Sequence, residues 1–574
     1  MATALNCLYK DTDLILKESS VVYCASMKQH QACIYRLRLA VTRFTFFFFS
    51  MMNTDWLKFK KYPHIGLPLS PMKDSHWVIE YVSNPQNVVE HKFLPLLHRR
   101  LYQRKFRPEI PVFYNPSGKR RRKQYASKVR NIFYPSHLDS ILYSYYCFLL
   151  SQSYEKFLSD KPYSKVAVAY RKIANEDVRL GNKCNIEFAQ EAFKFIIDNR
   201  ERRLSVIIAD ITSFFDNLDH RLLHTQWKKV LDEHDLPNDH YKIFKSLVDY
   251  SFVNEKDLYQ RFRHKLIVER FKANDATKKE RKNRLVKKKY NMRRENVIAY
   301  CTAKDFFKEA KDLIHCDKPY NSQLRLSMGK SVKKGIPQGT PISAILANIY
   351  MLDFDEKIYS EVYTPRKNGF YQRYSDDLII VCDQKDETYF CDLIRKEIEV
   401  IAKLEIQASK YHVYHYQLSN DGFLKGGLWE DGRLNYNKQL QYLGFLFNGK
   451  KVLVKTQSFS RFYRKMKRSF RRGAHFAKQK HSLSHNLYEW RLYKKFTHLG
   501  ATRRLRWKDK KHADKFHDWG NYISYLNKAN MVMKSINGDD SIKNQYRRVW
   551  NNFHLLKQQT YAEINQYLQT HHIV

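Results

Sequence analysis

The tetrad Tyr374-Ser375-Asp376-Asp377 lies between two apolar stretches, within Phe370 to Cys382. Nothing else in the chain restricts its fold as tightly. Apolar flanks of this kind read as paired strands, with the two aspartates at the tip of the hairpin. Adjacent carboxylates repel each other unless cations lie over them, and two divalent ions supply such cations in phosphoryl-transfer chemistry. Taken alone, the tetrad would equally suit a surface hairpin with an acidic tip. Its meaning depends on which other residues agree with it.

The charge balance narrows the partner. Lys and Arg total 103 against 58 Asp and Glu, a formal net charge of +45 over 574 residues. That excess repels itself unless a polyanion neutralises it, which favours nucleic acid over an anionic membrane surface. Aromatic residues make up 15% of the chain and are interleaved with the basic ones, a mixture suited to stacking on unpaired bases. The nine cysteines form no Cys-x-x-Cys pair, so a zinc module is not expected, and scattered thiols suit a reducing cytoplasm. The Phe44–Phe49 stretch is too short to cross a bilayer. Residues 1–50 read as an N-terminal extension, with Met51 or Met52 as an alternative start.

Along the chain, Pro111 to Lys123 reads as a loop and Ser136 to Lys161 as a helix with apolar residues at helical spacing. Leu204 to Asp210 reads as a buried strand that ends on a carboxylate. Residues 236–334, notably Lys278 to Arg294, are rich in Lys and Arg and are expected to be helical. Ile342 to Leu352 and Thr388 to Leu404 read as helices, and Gln441 to Val454 as a strand pair. A later amphipathic helix is expected from an N-cap at Ser458 to a stop at Gly473. Its basic face carries Arg461, Arg464, Lys465 and Arg468, positioned to follow a nucleic-acid backbone.

Asp210 and Asp376 would come together if their strands lay side by side in one antiparallel sheet. Magnesium takes hard oxygen ligands and keeps waters and phosphates in its shell. Two Mg²⁺ ions are therefore expected on Asp210 and Asp376, with the Ile211 carbonyl as a further ligand and Asp377 as a weaker one. Between the two strands, Gly335-Ile336-Pro337-Gln338-Gly339-Thr340-Pro341 builds a tight loop whose backbone can approach a ligand closely.

Read together and in order, Asp210–His220, Gly335–Asn348 and Tyr374–Asp377 resemble the A, B and C motifs of reverse transcriptases. Gln441-Tyr442-Leu443-Gly444-Phe445 resembles their primer grip, and Lys128–Ser136 resembles their fingers motif. The resemblance spans roughly residues 120–470. It implies an α+β right-hand polymerase, with fingers over 51–200, an antiparallel-sheet palm over 201–454 interrupted by a basic helical insertion at 236–334, and a helical thumb and C-terminal region over 455–574. It implies Asp210, Asp376, Asp377 and Lys410 as catalytic, with Lys410 protonating the leaving pyrophosphate. Phe215 matches the steric gate against a ribose 2′-hydroxyl, Gln338 and Gly339 the loop under the nascent base pair, and Lys128 and Arg130 the grip on the triphosphate.

Among bacterial groups, the chain has no Cys-rich endonuclease of the kind many group II intron enzymes carry. Where retron enzymes usually carry Val-Thr-Gly it has Val452-Leu453-Val454-Lys455. Gly520–Leu526 is more similar to the defence-associated, or unknown-group, enzymes. That resemblance implies RNA-templated DNA synthesis from deoxynucleoside triphosphates in anti-phage defence, on a dedicated non-coding RNA, with no membrane partner and homo-oligomerisation left open. Two alternatives share the core: an intron-splicing RNA-binding protein, and a template-independent DNA polymerase.

Overall fold

The computed structural model describes residues 54–108, 113, 114, 116, 118, 120–175, 181–272, 275–316, 334–364, 367–479, 486–501 and 520–571. The expected extension at residues 1–50 lies outside them. The chain divides at Phe59/Lys60. Before that point the described residues hold a single turn, closed by Leu57 N–H on the Thr54 carbonyl. The rest concerns the unit from Lys60 onward.

Leu204–Asp210 is a strand buried at every position, and it forms the middle of a six-stranded sheet. Its residues Val206, Ile207 and Ile208 favour strands because branching at Cβ fits a pleated surface packed on both faces. Asp377–Asp383 pairs with it antiparallel on one side and His412–Leu418 on the other. Phe370–Tyr374 extends the sheet beyond Asp377–Asp383, while Leu424–Glu430 and Arg433–Asn435 extend the opposite edge. One face packs Val206, Ile208, Ile379 and Val381 against Phe193 and Ile196 of the helix Asn185–Asp198. This all-antiparallel sheet with helices is the palm of an α+β right-hand polymerase fold.

The expected helix after Ser136 is His137–Ser159, with the Ser136 side chain accepting from Asp139 N–H as N-cap. Ser343–Tyr350 and Glu387–Val400 are helices, the first followed by a second helix at Leu352–Val362. The Gln441–Val454 region holds three short strands, Leu440–Tyr442, Phe445–Phe447 and Val452–Val454. Leu443 and Gly444 join the first two with φ of +44° and +95°, the double left-handed turn that matches the twist of a tight hairpin.

Three expectations need correction. The Pro111–Lys123 loop ends early, because the strand Arg122–Tyr134 already pairs with Leu96–Pro108 across Arg122 and Lys123. Among its described residues, the stretch 236–334 is not helical throughout. After the helices Asn238–Val248 and Glu255–Phe262 it forms a hairpin, Leu266–Lys272 with Asp275–Arg284, followed by the strand Val297–Cys301. Lys278 to Arg284 has no apolar residue at helical spacing, so pairing with the Leu266-Ile267-Val268 strand decides its state. Cross-strand charge pairs reinforce the pairing, with Glu269 contacting both Lys279 (3.6 Å) and Arg281 (3.9 Å). This sheet does not belong to the palm. Val297–Cys301 pairs with His64–Ile65, and Phe252–Asn254 pairs in parallel with Leu96–Pro108, so the region joins the N-terminal segment expected to form the fingers.

The third correction concerns the helix expected at 458–473, which runs from Thr456 to Ala477. Gly473 lies inside it rather than at its end. A Cβ there would sit 2.8 Å from Leu487 Cδ2, so the glycine serves close packing against a neighbouring segment. The buried face carries Phe462, Met466 and Phe470, and Phe470 stacks edge-on against Phe553 of the long helix Val549–Thr570. No described helix is long and apolar enough to cross a membrane.

Candidate active site

Strand register sets the geometry of the site. Asp377 lies directly opposite Asp210 across the central strand pair. Tyr374 also pairs with Asp377, which leaves Ser375 and Asp376 as a two-residue turn with Ser375 at φ +62°. Ile211 N–H donates to the Asp376 carbonyl at 3.2 Å, so the end of the Asp210 strand abuts the turn itself. The residue facing Asp210 is therefore Asp377, which the sequence had ranked third among the carboxylates. Strand alternation past a two-residue turn gives that assignment, whereas motif order alone does not.

The electrostatics follow from this placement. Burial, then the charges of Asp376 and Asp210, push Asp377 up to about 7. Burial also raises Asp376, with the Asp210 charge adding to it. The Lys410 ammonium donates to Asp210 Oδ2 at 2.5 Å, from a short turn that Gln407 N–H ties to the Asp210 carbonyl. The three carboxylates do not converge into a ready-made cage. Among the described residues no group of three or more His, Cys, Asp or Glu side chains is arranged to hold a metal ion. Asp210 is engaged by the Lys410 ammonium and stands close enough to Asp377 for their carboxyl groups to interact. The pair that faces across the strands, with Asp376 next in the turn, still fits Mg²⁺, which needs only one or two carboxylates beside water and phosphate oxygens.

A cleft of about 810 Å³ opens over this pair. Asp210, Asp377, Lys410 and Arg130 line it, together with Leu443–Gly444 of the expected primer grip and Arg461 of the helix Thr456–Ala477. Lys455, which the sequence reading passed over, lines it too. Burial and the neighbouring Arg461 lower its pKa, and the only signal for it was its place between a strand end and a helix start. Lys128 pairs with Gln103 in the fingers hairpin, but its side chain lies outside the described residues.

The Gly335 loop is clasped from two sides. Gly335 N–H donates to the Leu218 carbonyl (2.7 Å) and Ile336 N–H to that of Phe215 (2.9 Å), which locks the loop to the turn after Asp210. Phe215 is half-buried against Phe214, and the loop rests on its backbone. On the other side Phe133 N–H donates to the Gln338 carbonyl at 2.9 Å, joining palm to fingers. Gly339, at φ +124°, would place a Cβ 2.6 Å from the Phe133 carbonyl oxygen, so only glycine fits there. Gln338 and Gly339 thus sit at the palm–fingers seam, and neither they nor Phe215 is among the residues lining the Asp210–Asp377 cleft.

Beneath the turn lies a buried support that the motifs did not reveal. Arg373 and Asp355 are 0% and 2% exposed, and they are joined by Nη2–Oδ2 at 2.5 Å and Nε–Oδ1 at 2.8 Å. The Tyr371 hydroxyl donates to Asp355 Oδ1 at 2.7 Å, and Arg373 Nη1 donates to the Ser375 carbonyl at 3.0 Å. The guanidinium therefore holds the turn from below. Val166–Val168 covers the outer edge of its strand through two backbone bonds to Arg373.

The four basic residues expected to contact nucleic acid do not share one surface. Arg461 enters the cleft, while Arg464 and Arg468 line a different groove. Lys465 lies on another flank, near Lys495.

Residues 292–447 match the family described as Reverse transcriptase (RNA-dependent DNA polymerase). The match takes in the Gly335 loop, the Tyr374–Asp377 turn and Lys410. Asp210 precedes it in sequence and is joined to it by register. None of the curated proteins matches the chain. Among solved structures, telomerase from Candida albicans in complex with a fragment of telomeric RNA is similar at 12% identity and a TM-score of 0.33, over 89% of this chain and 72% of that one. Apo telomerase from Candida tropicalis, truncated of its C-terminal domain, is similar at 11% identity and a TM-score of 0.30 over 66% of this chain. The chain spans 57% of that protein's length, and at these scores the likeness carries no argument of its own. Residues 292–447 therefore match a reverse transcriptase domain, within a sheet whose register brings Asp210 to Asp377.

Proposed function

We propose that the chain copies an RNA template into DNA by two-metal nucleotidyl transfer centred on Asp210, Asp376 and Asp377. The observation that carries this reading is the Asp377–Asp210 register, which sets hard oxygen donors face to face at the floor of a basic cleft. Asp210, Asp376 and Asp377 would hold the ions, with the Ile211 carbonyl beside the turn as a further donor. Bound Mg²⁺ would supply Lewis-acid stabilisation of the attacking 3′-oxygen and the leaving pyrophosphate.

The chain's own residues do the rest. Arg130, Lys455 and Arg461 ring the cleft and offer cationic donors to phosphate oxygens. Lys410 is within hydrogen-bond reach of Asp210, which places an ammonium proton donor at the edge of the reacting centre. Phe215 is assigned the sugar gate and Gln338–Gly339 the surface under the nascent base pair, both through the family motif, as is the role of Lys128. The Leu443–Gly444 turn, beside Asp377 in the cleft, positions the primer end.

The decisive experiment is Asp376→Asn in primer extension on a defined RNA. DNA synthesis is expected to vanish while RNA affinity stays close to wild type. Persisting synthesis would remove the metal assignment, and a product that ignores the template sequence would replace templated copying by terminal addition. On the resemblance of Gly520–Leu526, we further place the chain in the bacterial cytoplasm among defence-associated enzymes that copy a dedicated non-coding RNA. Wild-type protein, and not Asp376→Asn, should then reduce phage plaque numbers. Sequencing the copurifying nucleic acid should return one RNA species and its complementary DNA, whereas a random population would overturn the dedicated template.

A further inference from the structure

The helix Thr456–Ala477 contains no Asp or Glu, and its basic residues line a cleft, a groove and a third flank near Lys495. Arg461 lines the catalytic cleft with Asp210 and Asp377. Arg464, Lys467, Arg468 and Arg471 line a separate groove of about 820 Å³, whose residues include none of those around the cleft. At about 100° per residue, Arg468 lies within about 20° of Arg461, while Lys467 and Arg471 lie about 120° and about 80° round the helix from it, so the groove runs from the edge of the cleft to a wall turned away from it.

Several features make this groove a site rather than a solvated helix face. None of its four cations has an ion-pair partner among the described residues, whereas Lys478, about two turns beyond Arg471, is paired with Glu563 at 2.7 Å. Arg464 with Lys467 or Arg468, and Lys467 or Arg468 with Arg471, are like charges at i,i+3 or i,i+4, which destabilise a helix unless an anion intervenes. The opposite wall is rigid. Gln545 lies in the groove, and its side-chain amide donates to the Val454 carbonyl (3.1 Å) and accepts from Val454 N–H (2.9 Å). Phe459 and Tyr463 form part of the lining, giving apolar ring surface beside the charges. Arg464 to Arg471 spans about 10 Å of helix, the length of roughly two phosphate steps.

We infer that this groove is a second nucleic-acid track, which takes the phosphodiester backbone of unpaired RNA outside the duplex being copied. The inference rests on the polymerase reading above and extends it. The cleft holds the primer–template end, and the groove on the other flank of the same helix holds RNA contiguous with the template. One rigid helix then fixes both strands of the path relative to Asp210 and Asp377. Unpaired RNA suits the groove because cations alternate there with ring surface, the combination used to follow single strands without reading sequence.

The test compares two labelled ligands on the full chain: a short RNA/DNA hybrid, blunt but for one templating RNA nucleotide beyond the DNA 3′ end, and the same hybrid with a longer unpaired oligouridine extension on its RNA strand, placed at one end or the other. Wild-type protein should bind one extended form about tenfold more tightly than the blunt form, with a salt slope steeper by about 1.4 for two phosphates. Lys467→Gln/Arg471→Gln should lose that gain and that extra slope. Its affinity for the blunt hybrid, and its single-nucleotide addition on it, should stay within about twofold of wild type. Equal weakening on both ligands would make the groove part of the duplex track and overturn the inference. So would the absence of any gain from the extension in the wild type. Failure of the polymerase reading itself would appear separately, as no nucleotide addition on the blunt hybrid by wild-type protein.

Discussion

The Arg373–Asp355 pair makes the sharpest prediction, because it links stability to catalysis through a single hydrogen bond. Both side chains are withdrawn from water, and Arg373 also reaches the Ser375 carbonyl. Removing one member leaves the other as an uncompensated buried charge, which costs about 3–5 kcal/mol. In Asp355→Ala the Tyr371 hydroxyl loses its acceptor as well, adding about 1 kcal/mol or more. The total of about 4–6 kcal/mol is a large share of an ordinary domain's stability of about 5–15 kcal/mol. Asp355→Ala should therefore unfold at much lower urea, read by tryptophan fluorescence, or fail to accumulate in soluble form. The double variant Arg373→Met/Asp355→Leu removes both charges and fills the same space. It should recover to within about 1–2 kcal/mol of wild type, since apolar replacement of a buried pair is often close to neutral. Its DNA synthesis should nevertheless remain depressed by about a hundredfold, because the turn carrying Asp376 has lost its support and small displacements of reacting groups are costly. Wild-type synthesis by a stable double variant would refute the idea that the guanidinium sets the turn. A loss below about 1 kcal/mol in Asp355→Ala would refute the desolvated ion pair.

Three further outcomes follow. Asp377, raised to about 7, binds its proton more tightly in the folded chain than in the unfolded one, where the usual value is about 3.9. Its contribution to stability is thus fully present below about pH 4 and is lost as pH rises through 7, so Asp377→Asn should stabilise the metal-free protein by about 1–2 kcal/mol at pH 8 and not at pH 4. An equal gain at both pH values in urea titrations would contradict that assignment. Phe215→Ala should raise ribonucleotide over deoxynucleotide incorporation about tenfold or more, and unchanged sugar discrimination in competition assays would remove its gate role. Gly339→Ala meets both a 2.6 Å contact with the Phe133 carbonyl and a φ of +124°, so it should cost about 2–3 kcal/mol and slow synthesis by parting palm from fingers. A wild-type denaturation midpoint and rate would show that the seam can relax.

What the sequence revealed depended on whether local pattern or distant pairing decided each element. Leu204–Asp210 was legible residue for residue, because a run of branched apolar side chains ending on an aspartate has few other readings. The helix after Ser136 was equally plain from its cap and periodicity. Residues 266–284 were not, since a string of Lys and Arg carries no period and its strand state comes from pairing with Leu266–Lys272. Gly473 misled for a related reason. Glycine ends helices when its left-handed conformation is used, whereas here its missing side chain admits Leu487. At the site, motif order singled out Asp210, Asp376 and Asp377 as candidates, but only register showed which of the pair faces Asp210.

Basic residues carry the same lesson into function. Arg373, Arg461 and Lys467 look alike in a chain with 103 Lys and Arg, yet they occupy three different electrostatic situations. Arg373 is wholly desolvated and saturated by Asp355 and Ser375, so it can neither bind a ligand nor be removed without loss of structure. Arg461 stands in a cleft with Asp377 and close to Lys455, whose pKa is lowered first by burial and then by the Arg461 charge. Lys467 belongs to a set with no counter-charge among the described residues. A cation that is neither paired nor isolated remains unfavourable until a polyanion arrives, so affinity for nucleic acid should follow the unpaired sets and leave the saturated one out. Salt titrations of Arg461→Ala and of the double variant Lys467→Gln/Arg471→Gln should therefore reduce the slope on different ligands, the first on the blunt hybrid and the second on the extended one. If both lowered the slope on the same ligand by the same amount, the two faces of the helix would be one surface after all.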